Sequence, residues 1–475
     1  MTRAAPPYVA DAERFWTERG ADPLFRLLGW CLRAEGADLE QAVKKIYCLS
    51  RPEDTYQPPE GAARRLFGAA LLPALLLARR TWRWTPEPPV EFMLETIDRG
   101  YFERWFGAVW AALPDSKRVS PRHPEGFAGL PATAPPLTTV ALGDVLRLAA
   151  AAPLFPFLLL SLRLRAGVDL GAAVRQTLSI HATFRGHFLR YPCRHFVTFD
   201  DESNPPARLI AFRQTCAGRL VVVQNGERSQ HPHLAYGAMD DYYMFGSAYA
   251  DILRSIGVKA RFEPVGALCL DERWALLKDK LAARGPARWD VLMVDQGVYP
   301  NGLDEKGARS LETIMERLAR YADRHPGFRL AYQLRQYGAT DPGRKEAVLA
   351  AVARTMGSRA QVLENAGKGE SYVNLLDADV TLTFESTLGF EALRLGRKAL
   401  FVNFSGDPLE TLCEDARFQH EDPSADYARF EAKLDAVRAL RLDAPPEAAT
   451  RRHHAFDGQV QARLAAAIAA TGGRA

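Results

Sequence analysis

Three parts of the chain carry groups able to act on an anionic substrate. The first is the small-polar turn Glu385-Ser386-Thr387, which follows a β-rich run over 379–384 and opens a helical stretch over 388–395. A helix starting there presents unpaired backbone N–H groups and the positive end of its dipole, which favour phosphate. The Ser386 and Thr387 hydroxyls add donors and can cap the helix. Gly389 lets the backbone come close to a ligand, and Glu391, one turn on, can face the same cleft and accept hydrogen bonds from a diol such as a ribose. The second is the strand end Gln333-Leu334-Arg335, where Arg335 can neutralise phosphate. The third is a set of acids at strand ends and turns: Asp200, Asp201, Glu227 and Asp295. Any of them can serve as a general base toward a hydroxyl, and any can equally serve as a cap or an ion-pair partner. The turn Gln224-Asn225-Gly226 sets amide groups beside Glu227.

Other chemistries lack their signatures. No G-x-G-x-x-G follows a strand, and neither a Walker sequence nor a G-x-S-x-G elbow occurs. His231-Pro232-His233 has no third ligand close in sequence, and Asp240-Asp241 is a pair of strand acids, so no metal site is expected. The six cysteines are scattered without a C-x-x-C pair and read as free thiols in a reducing compartment. The formal net charge is +4, too small to argue for nucleic acid. The first residues have no apolar run like that of a signal peptide, so the expected location is the cytoplasm.

The elements that must position these groups are α/β units. Strands are expected at 195–199, 220–223, 242–245 and 260–265, with helices at 208–215 and 248–256. A second series starts with a strand at 289–294 and a long amphipathic helix at 305–324. It continues with strands at 329–333, 360–363, 379–384 and 398–404. Two such series imply two Rossmann-like domains facing a cleft, with ligands at the carboxyl ends of the strands. The chain of 475 residues then divides into four parts. Residues 1–190 form a helical region joined to the first domain, 191–280 the first Rossmann-like domain, 286–430 the second, and 431–475 a helical tail.

The segment from Asp377 to Leu400, DADVTLTFESTLGFEALRLGRKAL, resembles the nucleotide-sugar motif of GT-B-fold glycosyltransferases, above all those building bacterial capsular and surface polysaccharides. The clear match covers about residues 370–405. The resemblance implies a metal-independent transferase without a cofactor, whose donor substrate is a nucleotide sugar held by the second domain. By that resemblance Ser386 and Thr387 would hold donor phosphate and Glu391 the ribose or base, with an acceptor glycan or lipid-linked acceptor on the first domain. Glu385, Gly389 and Arg335 join the donor site on the residue reading, since Gln333-Leu334-Arg335 replaces the family's Lys/His-Pro strand end. Leu220 to Gly226 with Asp241 to Gly246 more weakly resembles the Gln-His-Gly arrangement of capsule transferases and wall-teichoic polymerases. Asn225 stands where those families carry histidine, and Asn cannot take a proton. A non-hydrolysing sugar-nucleotide epimerase, or a non-catalytic scaffold of a polysaccharide pathway, fits the same fold.

Two apolar runs, 66–78 and 148–162, are bounded by Arg64, Arg65, Arg79 and Arg80, and by Arg147, Arg163 and Arg165. Neither reaches the ~20 residues that span a bilayer. Arginine-flanked apolar segments with Trp82 and Trp84 nearby fit the inner membrane surface, the alternative being buried core helices.

Overall fold

Runs such as Leu220-Val221-Val222-Val223 and Val291-Leu292-Met293-Val294 are apolar on both faces, which suits strands covered by helices on both sides. The computed structural model describes residues 5–51, 61–80, 82–96, 109, 111, 113, 118–121, 139–200, 205–226, 228, 230–283, 285–296, 305–335, 342–365, 369–384, 386–406, 415–442 and 452–472. These runs form two six-stranded sheets, and every strand pairing is parallel.

The first sheet contains β1 (Val90–Thr96), β2 (Arg118–Pro121), β3 (Cys193–Thr198), β4 (Arg219–Val223), β5 (Ala238–Met244) and β6 (Lys259–Pro264), in the order β2-β1-β3-β4-β5-β6. The second contains β7 (Trp289–Val294), β8 (Leu330–Gln333), β9 (Ala360–Leu363), β10 (Ala378–Thr383), β11 (Lys398–Asn403) and β12 (Gln419–Glu421), in the order β12-β11-β10-β7-β8-β9. Chain order reverses between β1 and β3 in one sheet and between β7 and β10 in the other. These are the switch points of a doubly wound fold, where a crevice opens at the carboxyl ends. The expectation of two Rossmann-like domains therefore holds.

The first domain begins earlier than residue 191. Phe92 of β1 pairs with His195 of β3, and Met93 of β1 with Arg118 of β2, so residues within 1–190 supply two strands. The tail is also divided. The helix Tyr427–Ala439 packs on the second sheet, whereas Val460–Gly472 returns to the first domain. There the Tyr243 hydroxyl donates to Ala467 O at 3.0 Å and Gln461 N to Asp271 Oδ2 at 2.8 Å.

The N-terminal helices build a core of their own. Leu24, Phe25, Leu28, Ile46, Leu72, Leu76, Leu148, Phe155, Leu159 and Leu178 are buried together. Buried Asp144 ties the bundle, accepting from Arg185 at 2.6 Å and Arg33 at 3.1 Å. The apolar runs read from sequence are the helices Ala62–Arg79, Leu142–Ala151 and Phe155–Ala166. They are core on one side only. Leu72, Leu76, Leu148, Leu159 and Leu162 point inward, while Phe67, Leu71, Leu75, Leu146, Phe157 and Leu164 stay exposed. Among the described residues no single helix is long and apolar enough to cross a membrane. The last two helices form a bent pair, at 54°.

The helix Gly171–Arg190 carries His181 and His187, both buried. Desolvation holds His181 at about 4, against its Asp144 neighbour, and His187 at about 3. Both rings are neutral in the fold, whereas the unfolded chain protonates them below their ordinary 6.5. Their contribution is thus complete above 6.5 and is lost as pH falls toward the folded values. The melting midpoint is expected to drop between about pH 7 and about pH 5, and His187→Phe to flatten that slope. A slope unchanged in the variant would remove His187 from the account.

Candidate functional site

The carboxyl edges of the two sheets meet across residues 452–456. Ala455 N donates to Phe245 O at 2.9 Å, just past β5, and Ala267 N donates to Ala455 O at 2.8 Å, just past β6. From the other side Phe390 stacks on His453, with ring centroids 4.7 Å apart. Residues 452–456 therefore link the ends of β5 and β6 to the helix that follows β10.

At the second switch point, β10 ends in Thr383 and β7 runs into Asp295 and Gln296. The Gln296 amide donates to the Thr383 hydroxyl, which also accepts from Ser386 N at 3.0 Å. Ser386 caps the helix Thr387–Arg394, its hydroxyl accepting from Leu388 N at 3.3 Å. Thr387 is the first helical residue. No hydrogen bond from the other described residues reaches its N–H or hydroxyl, and it is partly open to solvent. One strand over, Arg335 N donates to Asp295 Oδ2 at 3.1 Å. The Arg335 guanidinium is exposed and makes no ion pair among the described residues. A helix start and an exposed cation thus follow the strands on either side of β7, groups that suit an anion.

Several expected roles do not survive the geometry. Glu391 does not face the cleft. It is 1 % exposed, its Oε1 accepts from Cys269 Sγ at 2.7 Å, and desolvation pushes its carboxyl up to about 7. A helix turn brings residue five past Ser386 round to the first domain rather than to the crevice. Gly389 does not open the backbone to a ligand either. A Cβ there would sit 2.5 Å from Phe401 Cζ and 3.0 Å from Thr383 Cγ2, so glycine lets the helix lie close on β10 and β11. Asp295, buried, is committed to the backbone of Arg335. Asp200 is committed to Arg208, which reaches its Oδ2 at 2.7 Å. Gln224 and Asn225 hold their own turn. The Gln224 amide donates to Gly226 O at 2.7 Å and accepts from Phe245 N at 2.8 Å. Asn225 donates to Phe199 O at 2.8 Å and accepts from Arg228 at 2.6 Å. Asp201, Glu227 and Glu385 lie outside the described residues.

Sequence reading missed the first switch point. There buried Arg208 reaches Glu95 Oε2 at 3.3 Å, and Thr198 donates to the same oxygen at 2.8 Å. β1 was not recognised, so Glu95 had no place in the site. The concavity lined by Asp379, Arg397, Lys398 and Arg441 lies at the amino ends of β10 and β11, away from the crevice edge.

No family model matches the chain, and no curated protein matches it. Among solved structures it is similar to the Methanocaldococcus jannaschii UDP-GlcNAc 2-epimerase in complex with UDP-GlcNAc and UDP. That match has 10% identity and a TM-score of 0.49, over 80% of this chain and 99% of that one. A Thermobaculum terrenum O-GlcNAc transferase mutant matches at 12% identity and a TM-score of 0.36, over 98% and 80%. The wall teichoic acid polymerase TagF matches at 9% identity and a TM-score of 0.38, over 86% and 94%.

Proposed function

We propose that this chain is a glycosyltransferase that moves a sugar from a nucleotide-activated donor to a surface glycan or lipid-linked acceptor, working on the inner face of a membrane. The observation that carries the reading is the β7/β10 crevice, with the Ser386-capped helix, the unengaged Thr387 and the free Arg335 guanidinium around it. These groups suit the diphosphate of a donor, where leaving-group charge grows during transfer and fixed N–H dipoles stabilise it most. The general base falls to Asp201 or Glu227, since Asp200 and Asp295 already have partners. Asp201→Asn or Glu227→Gln is expected to lower turnover by roughly 10²–10⁴-fold with donor affinity kept. Full turnover in both variants would remove this assignment.

A sugar-nucleotide epimerase would use the same crevice, but it needs no membrane. The exposed apolar face of the N-terminal helices, bordered by Arg64, Arg79, Arg163 and Arg165, favours the transferase. The test is a thermal-shift panel of UDP-, CMP-, GDP- and ADP-linked sugars. One donor at about 100 times its Kd should stabilise the protein by about 2.7 kcal/mol. The shift should vanish in Thr387→Val with Arg335→Ala. Acceptor-dependent release of nucleotide then marks a transferase, and acceptor-independent conversion of the sugar marks the epimerase. Stabilisation by none of the four would contradict both.

A further inference from the structure

Removing Glu391 from the crevice leaves a buried carboxylate to be explained. Its surroundings are drawn from three separate parts of the chain. Cys269 begins the helix Leu268–Ala282 of the first domain, Glu391 lies in Thr387–Arg394 of the second, and His454 belongs to the returning tail. One ligand atom from each lies within 4.8 Å of the other two. His454 is wholly buried and neither ring nitrogen has a hydrogen-bond partner. Glu391 Oε2 is equally buried and unpartnered. Polar atoms sealed in this way are costly when left unsatisfied, so the site calls for an occupant.

We infer that Cys269, Glu391 and His454 bind a zinc-class divalent cation that joins the two domains. The donor set is a sulfur, a carboxylate oxygen and an imidazole nitrogen, the set that selects such a metal over magnesium or calcium. Ligand bonds of about 2.0–2.3 Å set tetrahedral edges of roughly 3.3–3.8 Å. The present contacts, 2.7 Å between Cys269 and Glu391 and within 4.8 Å elsewhere, lie within about 1 Å of those edges. On binding, the Cys269 thiol and the Glu391 carboxyl each release their proton to solvent. Thiolate, carboxylate and neutral imidazole then balance the double positive charge, so the buried unit carries no net charge. The Tyr372 hydroxyl lies beside both Glu391 and Cys269 and lowers the proton affinity of each, which supports the acidic ligands from outside. The role is structural. The metal would fix the helix that starts at the crevice against the first domain, and it takes no part in the transfer step.

The test is titration of the chelator-treated full chain with cobalt(II), followed by zinc. One equivalent of cobalt should give a thiolate-to-cobalt charge-transfer band, which zinc abolishes. Cys269→Ser and His454→Gln, both close in shape, should lose the band while keeping the circular dichroism of the parent. Tyr372→Phe should weaken zinc binding by roughly 10-fold. No charge-transfer band in the parent chain would overturn the inference and leave the orphaned atoms to a buried water. A band that persists in Cys269→Ser would overturn it too, by placing the metal on another cysteine. Neither readout depends on donor binding, so failure here leaves the proposed function untouched.

Discussion

Arg208→Met is expected to destabilise the first domain by roughly 3–5 kcal/mol, the usual cost of removing one partner from a buried ion pair. Arg208 is 1 % exposed, with its guanidinium over the Phe184 ring at 4.5 Å. It donates to Glu95 Oε2 at 3.3 Å, to Asp200 Oδ2 at 2.7 Å and to Asp200 O at 3.1 Å. Methionine fills much of the volume but takes the shared cation away from the buried Glu95 carboxylate and the partly buried Asp200 carboxylate at the β1/β3 switch point. Lysine should not rescue, because one ammonium cannot reproduce the planar fork. Adding Glu95→Gln should recover part of the loss, since one stranded charge is then neutral. Chemical denaturation of the three variants reads this. A loss below about 1 kcal/mol in Arg208→Met would show that water reaches the network and that it does not hold the strand ends.

The second large effect concerns the apolar face. Leu71, Phe157 and Leu164 are 59 %, 74 % and 77 % exposed, on helices whose opposite sides are core. Fully burying such a side chain is worth about 1.5–3 kcal/mol. Replacing all three with aspartate is expected to lower partition onto anionic vesicles by roughly 10²–10⁴-fold. Folding stability should stay within about 0.5 kcal/mol, because no core contact is removed. The parent's binding should weaken with salt, since the rim is arginine and its attraction to anionic lipid is screened. Equal partition of parent and variant in sedimentation with vesicles would show that the face is not a membrane surface. Concentration-dependent dimerisation, lost in the variant, would assign it to a second copy instead.

Most of the second domain was legible because its strands are short, apolar on both faces and separated by amphipathic helices. The expected strand at 289–294 and helix at 305–324 match the observed bounds, and the expected strand at 360–363 does as well. β1 was not legible. Val90-Glu91-Phe92-Met93-Leu94-Glu95-Thr96 follows a proline-rich stretch and carries two glutamates, one of which is buried only because Arg208 arrives from a later helix. Pattern reading has no access to a partner 113 positions away. The crevice was legible to the extent that strand–turn–helix order fixes it, as at Ser386 and Thr387. The rotation of a side chain about its helix was not. Glu391, one turn into the helix, and Gly389, in its first turn, serve the domain junction and the sheet instead. The two-sided character of the helices near residues 62–79 and 142–166 also required the fold, because an apolar run reads alike whether one face or both are buried.

The central claim is that a nucleotide-linked sugar seats its phosphates at the β7/β10 crevice. Hydrogen–deuterium exchange of the full chain, with and without the donor that gives the largest thermal shift, tests this most directly. The account predicts slowed exchange at the amides of Thr387 and Leu388 and around Arg335, lost in Thr387→Val with Arg335→Ala. Protection confined to the first sheet, or to the concavity beside Arg397 and Arg441, would contradict it.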